Sequence, residues 1–144
     1  MKRDIDFVVL DGPLGWSDHY EIESTVVELD GFMIEDLRTY REGLFASMLG
    51  LFEDQAPMRI DAIRAAFEAS DIDHLKHQAH ELAGGAAYVG AASLACHARA
   101  IETFAKNREL EEAAPLVATL EQHVERTIVA LRTFVIEPEG DPAS

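Results

Sequence analysis

Residues 72–91 read IDHLKHQAHELAGGAAYVGA, a stretch that combines a helical pattern with many small residues. Its apolar residues recur every three or four positions and fall on one face of an α-helix: Leu75, Ala79, Leu82, Ala86 and Val89. Ser70 and Asp71 precede the pattern and are typical capping residues. Gly90 follows it and marks a turn. The stretch therefore predicts a helix over about 72–89 that turns back on itself.

Similar patterns extend to both sides of this helix. Upstream, apolar spacing predicts one helix over about 34–52 and another over 57–69, with Pro57 breaking or kinking the path between them. Downstream, it predicts a helix directly after Gly90 and a last helix over about 111–136. The later connections are short, which implies antiparallel neighbours. The fold class expected is an all-α, antiparallel up-and-down helical bundle, with a four-helix core and a kinked N-terminal helical arm.

The ends of the chain differ in composition from its middle. Residues 1–25 predict an irregular N-terminal arm with one β-leaning run, Ile5 to Leu10. Residues 137–144 contain three acidic residues and two prolines, which predicts a flexible acidic tail. The bundle is expected over residues 26–136, and a chain of 144 residues suits one such domain.

Charge and cysteine content exclude several classes of function. Lys and Arg number 12 against 27 Asp and Glu, a formal net charge of −15. Such a surface repels phosphate backbones and anionic lipids, so neither nucleic acid nor membrane is an expected partner. The single cysteine, Cys96, precludes an intrachain disulfide and suits the reducing cytoplasm. The chain also lacks a Gly-rich phosphate loop, zinc-finger spacing and a nucleophile-elbow serine.

His80 is the candidate functional residue. On a helical projection it falls about 130° from the centre of the apolar face and should point to solvent. The turns after it hold Ala and Gly rather than long charged side chains, including the pair Gly84-Gly85. Each glycine inside a helix costs roughly 1 kcal/mol relative to alanine. Two explanations remain open at this point: a partner approaches the backbone beside His80, or helices pack closely there.

An antiparallel hairpin turning at Gly90 would place Glu102 level with His80, each about 16 Å from the turn. A carboxylate that accepts a hydrogen bond from one imidazole nitrogen leaves the other as a nucleophile. The same geometry places Arg99 level with Ala83, and cations beside an exposed imidazole suit phosphate.

These residues resemble the histidine-containing phosphotransfer (HPt) domain of bacterial two-component phosphorelays. The motif is Ala-His-x-Leu-Lys-Gly followed by small residues and a Gly-Ala turn, and it corresponds here to residues 79–91. Similarity extends upstream over residues 44–67, and downstream to Leu94, Cys96 and the pair Ile101-Glu102. It covers about residues 26–136.

The resemblance implies a phosphoryl carrier rather than an enzyme with its own nucleotide site. His80 would take a phosphoryl group from a receiver aspartate or a sensor or hybrid histidine kinase and pass it to another receiver. Glu102 would orient the imidazole. The chain would bind no cofactor, with Mg²⁺ held by the partner receiver, and would act as a monomer. The residues expected to contact the receiver are Lys76, His77, Ala83, Gly84 and Ala87.

One position departs from the family pattern. The family has a lysine three residues after the histidine, where this chain has Ala83. Arg99 or Lys76 could supply the missing cation and stabilise the phosphoryl group. The alternative is a module inactive in phosphotransfer that binds or inhibits a response regulator.

A second class of function is metal binding. His74, His77 and His80 recur every three residues, and two of them, with Asp73, could hold Zn²⁺ or Ni²⁺. Three histidines along one exposed helix enclose an ion poorly, so no metal site is expected.

Overall fold

A computed structural model describes residues 7–10, 27–40 and 43–136. Within these ranges lie two strands and five helices: β1 (Phe7–Leu10), β2 (Val27–Asp30), α1 (Gly31–Tyr40), α2 (Leu44–Glu68), α3 (Ile72–Tyr88), α4 (Ala92–Lys106) and α5 (Leu110–Ile136). Helices α2 to α5 pack as an antiparallel bundle around an apolar core, which confirms the predicted fold class. No helix in the described part is long and apolar enough to span a bilayer.

The core of the bundle is built from the predicted helix faces. Leu75, Ala79 and Leu82 of α3 are buried, as are Leu94 and Ile101 of α4. Helix α3 packs between α2 and α4, and α5 closes the bundle against both of these. Burial of these apolar side chains is the main stabilising contribution to such a fold.

The hairpin of α3 and α4 follows the prediction closely. The Asp71 side chain caps α3 by accepting a hydrogen bond from the His74 backbone N–H at 3.2 Å. The turn is made by Gly90, whose φ is +81°. A Cβ at this position would lie 2.7 Å from Ile34 Cγ1, so a side chain there would be both strained and crowded.

The predicted course of the first helices is wrong in one respect. A break or a kink is expected at Pro57, and no break is present, because α2 runs continuously from Leu44 to Glu68 with Pro57 inside it. Pro57 is exposed, so its ring faces solvent rather than a neighbouring helix. The helix expected over 34–52 is instead divided around Gly43, which has a left-handed φ of +84°. Helix α1 is therefore a separate element that packs on α2.

The strands are a second correction to the all-helical expectation for residues 26–136. Strand β2 pairs in parallel with β1, which lies in the β-leaning run of the predicted arm. Val27 and Leu29 of β2 are fully buried. The Asp30 N–H donates to the Gly90 carbonyl at 2.7 Å, which ties the strand to the α3–α4 turn. The rest of the predicted arm 1–25 and the predicted tail 137–144 lie outside the described residues.

The turn geometry makes Gly90→Ala destabilising. The new Cβ would clash with Ile34, and the left-handed backbone disfavours any side chain, so we expect a loss of about 1–3 kcal/mol in the free energy of unfolding. Urea denaturation measures the change. The control is Gly84→Ala, where nothing lies within 4 Å of the added Cβ and the helix should gain up to about 1 kcal/mol. Equal stabilities of the two variants would contradict this account of the turn.

Candidate functional site

The exposed face of α3 carries His80 in a row of accessible residues. His77, His80, Gly84 and Tyr88 follow one another at intervals of three or four positions, and all four are exposed. The His80 side chain retains 61% of its accessible surface. The prediction that His80 points to solvent is confirmed.

His80 and Glu102 meet across the groove between α3 and α4. His80 Nδ1 lies 3.1 Å from Glu102 Oε2, although the two residues are 22 positions apart in the chain. An ionised carboxylate only accepts hydrogen bonds, so Nδ1 carries the proton and donates it to Glu102. The other ring nitrogen, Nε2, then holds a free lone pair and has no hydrogen-bond partner among the described residues. The arrangement provides an exposed, oriented nucleophile.

The two glycines after His80 differ in their surroundings. A Cβ added at Gly84 would meet no atom of the described residues within 4 Å, so bundle packing does not require a glycine there. A Cβ at Gly85 would lie 3.5 Å from the Phe52 ring of α2, an ordinary van der Waals contact. Close packing of helices therefore does not explain the glycine at position 84. The remaining explanation is that a partner approaches the backbone beside His80.

Ala83 does not belong to this exposed face. It is 1% exposed and lies in the core with Ala98 of α4, so the expectation that it contacts a partner is wrong. The physical reason is that α4 packs along the side of α3 that carries Ala83. Lys76 and Ala87 are half-buried, and His77 is exposed.

Arg99 is exposed on α4, one turn before Glu102. Its charge acts on the thiol of Cys96: burial raises the pKa of Cys96, and Arg99 partly offsets that rise. Cys96 is 9% exposed, which agrees with a packing role rather than a nucleophilic one. Arg99 therefore lies on the same helix as Glu102. That Arg99 stabilises a phosphoryl group stays a prediction.

Arg59 of α2 also supports the site, and the sequence analysis did not identify it. Its Nη1 donates to Gln78 Oε1 at 3.1 Å, and its Nη2 lies 3.8 Å from Glu81 Oε1. Gln78 and Glu81 flank His80 in the chain, so this contact braces the segment of α3 that carries the imidazole. The sequence could have revealed this contact only if the axial alignment of α2 against α3 were known. The spacing of apolar residues does not determine that alignment.

The metal hypothesis gains no support from the geometry. Within the described ranges, no three His, Cys, Asp or Glu side chains come together as a possible metal site. His74 and His77 are exposed on α3, and the partner of His80 is Glu102.

Comparison with known proteins identifies the family of this domain. The Hpt domain family matches residues 47–130, a range that includes both His80 and Glu102. The chain therefore belongs to the Hpt domain family, whose members are phosphotransfer carriers in two-component phosphorelays rather than classical enzymes.

Two solved structures are similar to the chain. Histidine-containing phosphotransfer protein B (HptB) from Pseudomonas aeruginosa PAO1 has a TM-score of 0.68 and 27% identity, over 73% of this chain and 91% of that one. A rice protein assigned to the histidine-containing phosphotransfer proteins has a TM-score of 0.65 and 19% identity, over 74% of this chain and 80% of its own, and shows the likeness of fold. No curated protein matches the sequence.

The Glu102 contact predicts a tautomer that can be measured. Glu102→Ala removes the acceptor at Nδ1, and a hydrogen bond to a charged group is worth about 1.5–3 kcal/mol. We therefore expect the share of His80 with its proton on Nδ1 to fall several-fold, as read from imidazole ¹⁵N chemical shifts. Glu102→Gln is the matched control, because its amide oxygen still accepts. An unchanged tautomer in Glu102→Ala would show that the carboxylate does not orient the ring.

Proposed function

We propose that this chain accepts a phosphoryl group on His80 Nε2 and exchanges it with the aspartate of response-regulator receiver domains. The observation that supports this most directly is the 3.1 Å contact between His80 Nδ1 and Glu102 Oε2 on an otherwise exposed imidazole. It leaves Nε2 as the reactive nitrogen in a domain that belongs to a family of phosphoryl carriers.

The transfer step uses the two ring nitrogens differently. The Nε2 lone pair attacks the phosphorus of a receiver acyl phosphate, an N–P bond forms, and the P–O bond to the aspartate breaks to release its carboxylate. The imidazole gains positive charge as the bond forms, and Glu102 stabilises it through the Nδ1 proton. The reverse sequence returns the phosphoryl group to a second receiver, so no proton leaves the ring in either direction.

The receiver docks, in this proposal, on the exposed face of α3 and the neighbouring edge of α2. Gly84 lies one turn after His80 and presents no side chain, which allows close approach. Tyr88, Leu51 and Met58 expose 57–66% of their surfaces on these two helices and supply apolar contact area. Lys76, His77 and Ala87 border this area. The Mg²⁺ that neutralises the phosphoryl oxygens is supplied by the receiver.

Because the lysine of the family motif is absent, another cation is needed to stabilise the phosphoryl group. Ala83 has an uncharged methyl side chain and is buried, so this position contributes no charge to the site. We assign the role to Arg99, with Lys76 as the second choice. An inactive module that only binds a response regulator is the alternative function, and the departure at Ala83 is the observation that favours it.

A phosphoryl carrier depends on other proteins for the start of the relay. A sensor or hybrid histidine kinase starts the relay, so the chain needs no nucleotide site. The single cysteine suits the reducing cytoplasm, where we place the exchange. The chain acts as a monomer that binds one receiver at a time.

Transfer of label tests the carrier role. Isolated receivers carrying ³²P-phosphate are mixed with the chain and Mg²⁺, and we expect acid-labile label on the wild type and none on His80→Gln. His74 is also an exposed histidine on α3, so His74→Gln is the matched control and should accept label normally. Receivers that bind the wild type without transferring label would favour the binding module instead.

Substitution of Arg99 tests the replacement cation. Arg99→Ala should slow transfer about two- to fivefold, the range for one exposed charge interaction of up to about 1 kcal/mol. Quench-flow rates measure it, and Lys76→Ala is compared in parallel. A rate unchanged by Arg99→Ala and lowered by Lys76→Ala would move the role to Lys76.

A further inference from the structure

The Arg59 guanidinium lies between α2 and α3, at the level of His80. Its Nη1 donates to Gln78 Oε1 at 3.1 Å, and its Nη2 lies 3.8 Å from Glu81 Oε1. Gln78 precedes His80 in the chain and Glu81 follows it, so the guanidinium spans the turn of α3 that carries the imidazole. Along the axis of α3, Arg59 is therefore within one helical turn of His80, a rise of about 5.4 Å.

The contacts of Arg59 inside the chain use little of its capacity to donate hydrogen bonds. A guanidinium carries several N–H donors in a planar fork. Among the described residues, Gln78 accepts the only hydrogen bond that the Arg59 guanidinium donates. Glu81 is an ion-pair partner, but a separation of 3.8 Å is too long for a hydrogen bond. Arg59 therefore keeps N–H donors for a group outside this chain.

Arg59 is accessible, and it borders the surface proposed to dock the receiver. Its side chain retains 26% of its accessible surface, and that of Glu81 retains 42%. Its neighbour in the chain, Met58, is exposed and belongs to the apolar α2 edge of the docking surface. Arg59 thus lies where this apolar edge meets the turn of α3 that carries His80. Arginine, methionine and aromatic residues are the side chains enriched in protein interfaces.

The receiver presents negative charge to this surface. Its reacting group is an aspartate, and Mg²⁺ in proteins is bound mainly through carboxylates. The present chain is acidic as well, with a formal net charge of −15, so the two molecules repel each other unless cations lie at the contact. Helix α3 packs between α2 and α4. Arg99 offers a cation from α4, and Arg59 offers one from α2, on the other side of His80.

We propose that Arg59 is a docking residue whose guanidinium binds a carboxylate beside the Mg²⁺ of the receiver. The inference rests on the proposed function, which names the receiver as the partner. It holds equally for a carrier and for a module that only binds a response regulator, because the contact precedes any transfer.

The contacts of Arg59 in the free chain favour this exchange of partners. In the complex, the receiver carboxylate replaces Glu81 as the ion-pair partner of Arg59. An exposed ion pair contributes little net free energy, so its loss costs little. The hydrogen bond to Gln78 holds the guanidinium in place before binding, which reduces the conformational entropy lost in the complex.

Arg64 provides a matched comparison on the same helix. Its Nη2 donates to Glu121 Oε1 of α5 at 2.9 Å, and its Nη1 lies 3.8 Å from Asp61 Oδ1. Its side chain retains 40% of its accessible surface. Arg64 therefore has the same charge and similar contacts as Arg59, but its partner helix is α5, away from His80.

Binding of isolated receiver domains tests the docking role. Receivers with Mg²⁺ are titrated into the full chain by isothermal titration calorimetry, and the tightest binder is measured with each variant. Arg59→Met keeps an apolar stem and removes the charge, so we expect Kd to rise about tenfold, the effect of one lost charged hydrogen bond. Arg64→Met should bind as the wild type does. Arg59→Lys, which keeps the charge without the planar fork, should lie between the wild type and Arg59→Met.

Two further readouts separate docking from a structural or chemical role. The difference in Kd between the wild type and Arg59→Met should shrink between about 0.1 and 1 M NaCl, because salt screens an exposed charge pair. Phosphoramidate is a small donor that needs no receiver: an N–P bond forms at His80 Nε2, and the P–N bond of the donor breaks to release ammonia. Its rate of phosphorylation of His80 should be the same in the wild type and in Arg59→Met.

Three outcomes would overturn the docking role: an unchanged Kd in Arg59→Met, an equal rise in Arg64→Met, or an equal loss of phosphorylation by phosphoramidate. If the wild type takes label from receivers while Arg59→Met binds them as tightly, the docking role fails and the carrier role stands. If no receiver binds the wild type, both fail.

Discussion

The axial register between α3 and α4 is the constraint on which the His80–Glu102 contact depends. The left-handed turn at Gly90 sets that level, and Ile34 and the Asp30 N–H hold the turn from one side. A shift of one helical turn, about 5.4 Å, would carry Glu102 out of reach of His80. The contact that orients the His80 ring therefore depends on this turn. Elements that look peripheral, such as α1 and β2, contribute to the site by supporting it.

Stability and access are in conflict along the exposed face of α3. A helix in that position would be more stable with alanine or long polar residues than with Gly84, since nothing packs against this glycine. Tyr88 and Met58 likewise leave large apolar surfaces in water. The chain tolerates these costs because Leu75, Ala79 and Leu82 bury the opposite face of the same helix. Such local departures from optimal stability are typical of surfaces that bind a partner.

The sequence predicts helices α3 to α5 and the His80–Glu102 pair well, because both follow from helical geometry around a short turn. It fails where the outcome depends on contacts between distant segments. Ala83 lies at the edge of the apolar face, and only the packing of α4 decides that it is buried. Arg59 reaches its partners across the α2–α3 interface, 19 residues away for Gln78. The sequence predicts a break or a kink at Pro57, but α2 continues through this residue because an exposed proline does not have to end a helix.

The separation in sequence between β2 and its contacts has a consequence for the order of folding. The Glu28 amide meets Ser93, 65 residues later, whereas α3 and α4 are joined by a short turn. Closing a long loop costs entropy before distant contacts can form, so contacts between near neighbours tend to form faster. During synthesis at about 5–20 residues per second, Glu28 is added about 3–13 s before Ser93. We therefore expect the α3–α4 hairpin to form before Val27 and Leu29 of β2 dock on the bundle.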